Sequence, residues 1–250
     1  FWPRSLFAAE AADDEDEPQE AAPPTGEPAP ADTRAVAVPF NARWLDPYFA
    51  SGPAAKAAAR FRSGDFAGAS RDLARVLAGL PKSSPERNPS RYLLALALAS
   101  QSSWEAAGDI FEDLWSSYPL LAPYHAYHAA RCRLRRGDGD GAFLWLSRVP
   151  AGSVPEPDAA MVKVDAFVAA KRWAEVETEV TTYLARFPKG PRWPEAMFIR
   201  AEALKESGRP LAEVAAAYRK VWAESPSETW ATRANERLSK DVLAAIRKLD

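Results

Sequence analysis

The stretch SYPLLAPYHAYHAARCRL (117–134) gathers the side chains best suited to bind a metal or act as a nucleophile. It holds both histidines of the chain, His125 and His128, and its one cysteine, Cys132. Their spacings of 3 and 4 bring helical residues near one another. At ~100° per residue, however, the three straddle two stripes spread over about 60°. A tetrahedral zinc takes four ligands, usually pairs from two elements. The chain offers no other His or Cys. A histidine pair also needs a partnered nucleophile before it can serve a Ser/His/Asp set. The expectation is a structural helix with no metal ligand, no catalytic residue and no cofactor.

The neighbouring stripe has a different chemistry. Tyr124, Tyr127, His128, Arg131 and Arg135 fall within about a third of a turn. Tyrosine and arginine side chains stack on sugars or grip a peptide through rings and forked donors. Tyr124, Tyr127, Arg131 and Arg135, with Tyr92 on the preceding helical segment, are therefore the groove-binding candidates. The competing reading is a solvated face whose rings pack between neighbouring units. Ala126 and Ala130 face another way and permit close helix approach.

The other chemical motifs are weaker. GDGDG (137–141) supplies Asp138 and Asp140 but lacks a calcium loop's third acid and closing Glu. It follows no strand, so it is not a phosphate loop. A tight turn between two helices accounts for it. No hydrolase elbow, Walker loop or zincin motif is present.

The elements that position these residues read as helices from about Pro53 onward. The texture is Ala-rich, periodic at 3–4, and punctuated by Gly and Pro. A repeat is visible at offsets −3, 0, +4, +7 and +12. Phe66, Ala69, Leu73, Val76 and Pro81 form one set, and Trp104, Ala107, Phe111, Leu114 and Pro119 a second. Trp173, Val176, Val180, Tyr183 and Pro188, then Leu211, Val214, Tyr218, Val221 and Pro226, complete the series. Each set predicts an amphipathic helix closed by proline. RRGDGDGAFLWLSRVP supplies a shortened member, with Ala142 at the small position. Partner helices are predicted over 53–63, 89–100, 122–136, 157–170 and 192–207, with a last helix from about Glu228. Trp104, Trp115, Trp145, Trp173 and Trp222 stand at or near repeat positions and are expected in the core.

The fold expected is all-α, a solenoid of about five helix pairs resembling tetratricopeptide repeats. Its domain spans 38–250. Residues 1–37 form an acidic Pro/Ala-rich linker expected to be disordered, because 8–33 contain no large apolar side chain to offset ordering entropy. Residues 35–49 are expected to dock as a strap on the first helix. The net charge of −2 divides into −7 over residues 1–34 and +5 over the rest. That mildly basic body suits an anionic or polar partner and falls short of a nucleic-acid signature. No apolar run reaches the ~18 residues of a membrane span. The sequence opens at Phe1, not Met, beside the Ala-rich FAAEAADDEDE, which is expected of a trimmed start and hints at export.

A family resemblance rests on longer phrases. FNARWLDPYFASGPAAKAAARFRSGDFAGA, WEAAGDIFEDLWSSYPLLAPYHAYHAARCRL and AFLWLSRVPAGS resemble the N-terminal helical region of soluble lytic murein transglycosylases. The closing AESPSETWATRANERL fits that family's ending as well, so the resemblance covers about residues 38–240. It implies a periplasmic or cell-envelope scaffold that positions a peptidoglycan glycan strand or partner proteins. In that family a lysozyme-like domain follows, marked by Glu-Ser and then Gly-Leu-Met-Gln. Glu206-Ser207 and Glu224-Ser225 are present, but Gly-Leu-Met-Gln is not, so no catalytic residue carries over. The stretch from FPKGPRWPEAMFIRAEALKE to WAESP also resembles repeats of outer-membrane assembly and division-coordination proteins. That likeness implies a non-enzymatic envelope adaptor.

Overall fold

The computed structural model describes residues 49–190, 192–226 and 229–246, and within them every regular element is helical. Five helix pairs follow one another: α1 (Ala55–Arg62) with α2 (Phe66–Gly79), α3 (Arg87–Ser100) with α4 (Trp104–Ser117), and α5 (Ala122–Arg135) with α6 (Gly139–Leu146). α7 (Glu156–Ala169) with α8 (Trp173–Arg186), and α9 (Trp193–Glu206) with α10 (Leu211–Glu224), complete the pairs. α11 (Thr229–Ile246) closes the series. Each helix packs on its sequence neighbours, and α5 also meets α7, as a solenoid requires. The acidic linker and all of the strap but Phe49 lie outside the described residues.

Local chemistry sets the boundaries. Pro89, Pro123, Pro157 and Pro194 stand in the first turns of α3, α5, α7 and α9. Proline fits there because its missing N–H has no intrahelical partner to lose. Within each pair the chain turns through one left-handed residue: Gly64 (φ 83°), Ser102 (62°), Gly137 (82°), Lys171 (54°) and Gly208 (71°). The following amide then reaches back to the last turn of the first helix. Asp65 donates to the Arg60 carbonyl, Ser103 to Leu98, Asp138 to Arg133, Arg172 to Phe167 and Arg209 to Leu204, at 2.9–3.0 Å. These five Schellman-type closures are the repeat written in backbone hydrogen bonds. Left-handed geometry is strained for lysine. Lys171→Gly is therefore expected to stabilise the fold by about 0.5–1 kcal/mol, read as a higher urea midpoint. A lower midpoint would contradict this account of the turn.

GDGDG is the turn its composition calls for. Gly137 ends α5, and the Asp138 carboxylate accepts the Gly141 amide at 2.8 Å, capping α6. That bond, then the Arg133 guanidinium, holds the Asp138 carboxyl below its ordinary range. Arg133 also forks onto both oxygens of Glu112, at 2.6 and 2.8 Å, so one guanidinium ties α4, α5 and the α6 cap together.

The small position of every second helix is buried. Ala69, Ala107, Ala142, Val176 and Val214 lie at most 3% exposed. Leu73, Phe111, Val180 and Tyr218 follow at +4, within 1% of full burial. The tryptophans divide. Trp145 is buried, whereas Trp115 (37% exposed) and Trp222 (58% exposed) are surface residues, against expectation. Both stand at +8. Leu114 and Val221, one residue earlier, already occupy the core, and the next residue turns about 100° away from it. The Arg148 guanidinium sits 4.7 Å from the Trp115 ring and 4.2 Å from Trp145, covering the end of the shortened α6.

Candidate functional site

The His/Cys trio is a packed joint. His125 is fully buried, and its Nε2–H donates to the Tyr118 carbonyl at 3.1 Å. A carbonyl only accepts, which fixes the Nε2–H tautomer and leaves the buried Nδ1 without a partner. His128 stacks on Phe111 at 4.8 Å, 19° from parallel. Tyr92 stands edge-on to Phe111 at 5.9 Å and to His125 at 5.2 Å. Burial lowers the pKa of His125 to about 4, against the Tyr118 hydrogen bond. Burial, with Arg131 adding to it, lowers that of His128 to about 3. Both rings are neutral at pH 7. Cys132 packs beside Gly108, and burial pushes its thiol up to about 11, away from the reactive thiolate. Among the described residues no three His, Cys, Asp or Glu side chains converge to hold a metal.

The Tyr/Arg stripe opens onto a groove of about 700 Å³. First helices of three successive pairs build it. α5 contributes Tyr127, Arg131 and Arg135, α7 contributes Asp158, Val162 and Asp165, and the start of α9 contributes Arg192 and Glu195. Three of the five candidate residues are thus brought together. The other two are not in the lining. Tyr92 belongs to the ring cluster, where burial, then Tyr124 and Tyr127, push its phenol far above the ordinary range. Tyr124 is half-buried beside it. The α3–α5 contact has taken the Tyr92 ring for packing.

The groove's charges differ in how they are held. Arg192 forks onto Glu195 at 2.6 and 2.8 Å and reaches Asp165 at 3.4 Å, tying α9 to α7. Burial lowers the Arg192 pKa, but the two carboxylates outweigh it and the net shift is upward. Burial raises the Asp165 carboxyl, against Arg192. On α5 the arrangement is looser. The Arg131 guanidinium stands 5.5 Å from the Tyr127 ring, and that of Arg135 stands 5.8 Å from Trp104. Among the described residues neither arginine has a carboxylate within ion-pair reach. The α7 and α9 wall thus carries three carboxylates and one guanidinium, and the α5 wall presents two cations beside an aromatic ring, without an ion pair of their own among the described residues. Such a surface can pair with carboxylates or phosphates and stack on a planar or sugar ring. It holds no nucleophile paired with a base.

Asp158, Asp165, Arg192 and Glu195 were not singled out from sequence. The signal was there. The step of 34 residues from Ala142 to Val176, applied to Tyr124 and Arg131, lands on Asp158 and Asp165.

Comparison with known proteins bears on the fold. A tetratricopeptide repeat protein from Parabacteroides merdae superposes with a TM-score of 0.59 at 14% identity, covering 78% of this chain and 76% of that one. The nearly identical TPR-like repeats of a kinesin-light-chain-type protein from Podosopora anserina give 0.55 at 16% identity, covering 70% and 96%. The chain is a tetratricopeptide-like helical-repeat solenoid. No family model and no curated protein matches it. Among the described residues no helix is long and apolar enough to cross a membrane.

Proposed function

We propose that this chain is a non-catalytic scaffold that holds an extended partner in the α5–α7–α9 groove. The observation that carries the reading is the pair Arg131 and Arg135, without carboxylate partners, beside Tyr127 in a groove that three consecutive repeats build. On the facing wall, by contrast, Arg192 is tied to Glu195 and Asp165. The partner contacts Tyr127 with a ring and the two arginines with anionic or hydroxyl oxygens.

The sequence phrases YPLLAPYHAYHAA and WLSRVPAGS support a peptidoglycan glycan strand as the occupant. In that case the chain acts in the periplasm, as the helical arm of a lytic transglycosylase. The alternative occupant is a peptide segment of an envelope protein, which the repeat fold and the forked arginine donors also suit. Tyr127→Ala with Arg131→Ala is expected to lower binding to purified sacculi by at least about tenfold, with helicity unchanged by circular dichroism. Wild-type-like binding by the double variant would remove the groove assignment. If the wild-type chain ignores sacculi, the glycan occupant fails and the peptide reading stands to be tested.

A further inference from the structure

A second cavity, sharing no residue with the groove, lies between α8, α9 and α10 and holds about 270 Å³. Leu184, Trp193, Met197 and Ala217 give it apolar walls, and Arg200 and Lys220 are its charged lining. No carboxylate lines it. Arg200 is half-buried, its Nε is enclosed without an acceptor, and among the described residues it makes no ion pair. A partly desolvated guanidinium without a counter-charge is unfavourable, and every other buried arginine discussed above has a carboxylate or a ring. Lys220 has one carboxylate neighbour, Glu224 at 3.6 Å, one turn away on the exposed face of α10. That exposed pair is weak and leaves the ammonium available.

We propose that this cavity binds a compact apolar monocarboxylate. The carboxylate lies against the outer nitrogens of Arg200 with Lys220 nearby, and the apolar body enters between Leu184, Trp193 and Met197. The volume is smaller than a drug-sized pocket and matches one large apolar side chain. The carboxylate belongs either to a free acid or to the C-terminal residue of a peptide. Cation and apolar wall act together here: the charge selects an anion, and the apolar side of the cleft favours one with an apolar body.

The test is titration of the full 250-residue chain with N-acetyl-phenylalanine, its uncharged amide, and 3-phenylpropionate, followed by tryptophan fluorescence and nuclear magnetic resonance. N-acetyl-phenylalanine is expected to bind with Kd of about 1 mM, and its amide at least about tenfold more weakly. Arg200→Gln is expected to cost about tenfold, and Ala217→Phe, which fills the cavity from a half-buried position, to abolish binding. Binding of N-acetyl-phenylalanine alone assigns the site to a chain terminus. Binding of 3-phenylpropionate as well, or alone, assigns it to free acids. Equal affinity for acid and amide, undiminished binding by Arg200→Gln, or no binding by either acid would overturn the proposal.

Discussion

Acidification from pH 7 to about pH 4.5 is expected to remove on the order of 5 kcal/mol of folding stability. The source is the joint between α3, α4 and α5. His125 and His128 are neutral in the folded protein, with pKa values lowered to about 4 and about 3 from 6.5. In the unfolded chain both take up a proton as the pH falls below that ordinary value. The unfolded state then binds more protons than the folded one, so stability falls with pH. The contribution is complete above pH 6.5 and is lost between there and the folded values. Each ring accounts for roughly half of the total at pH 4.5. The raised carboxyl of Asp165 works in the opposite sense and offsets a small part. The depressed carboxyls of Asp138 and Glu156 lose their contributions only at lower pH. Urea melts at the two pH values measure the effect. His125→Gln with His128→Phe should flatten the dependence even if it lowers stability at neutral pH. Equal stability of the parent protein at both pH values would rule out the buried neutral pair.

Ala107→Trp should be the most damaging single substitution in the repeat register. Ala107 is fully buried, in the cluster that contains Phe111, Ala129 and Cys132. Overpacking by even a few methylenes costs about 1–3 kcal/mol, and an indole exceeds that by far. In a solenoid each unit is supported only by its neighbours, so loss of the α3–α4–α5 core also uncouples the pairs on either side. The expected readout is a fall in Tm of about 10 °C or more, or a melt divided into two transitions. Ala106→Trp, one residue away on the exposed face, is expected to stay within about 0.5 kcal/mol of the parent. Similar melts for the two variants would contradict the register.

The architecture was legible because every repeat uses the same devices. A small residue at one position, a large apolar one four later and a proline after the last turn place each second helix. The five pairs follow from them, including the pair whose second helix is cut to eight residues. The tryptophans at +8 misled, since apolar character alone does not distinguish Leu114 from Trp115. Helical angle does. The candidate site was legible in part for a similar reason. Tyr127, Arg131 and Arg135 share one helix, and local periodicity suffices to group them. Asp158, Asp165, Arg192 and Glu195 reach the same groove only because helices 34 to 37 residues apart stack side by side. Finding them requires carrying the repeat register onto the first helices. Tyr92 has the chemistry of a binding stripe, but its ring packs against the α4–α5 cluster, and Tyr124 stands outside the groove lining. No single-helix pattern encodes that.

A photo-crosslinking residue placed at position 131 tests whether the face carrying Arg131 is where this scaffold holds its partner. A matched variant carries it at position 144, where Leu144 is 58% exposed on α6 and outside the groove. Each is irradiated with purified sacculi and, separately, with an envelope-protein extract. Adducts are expected from position 131 and none from position 144. Adducts from position 144 alone, or equally from both, would contradict it.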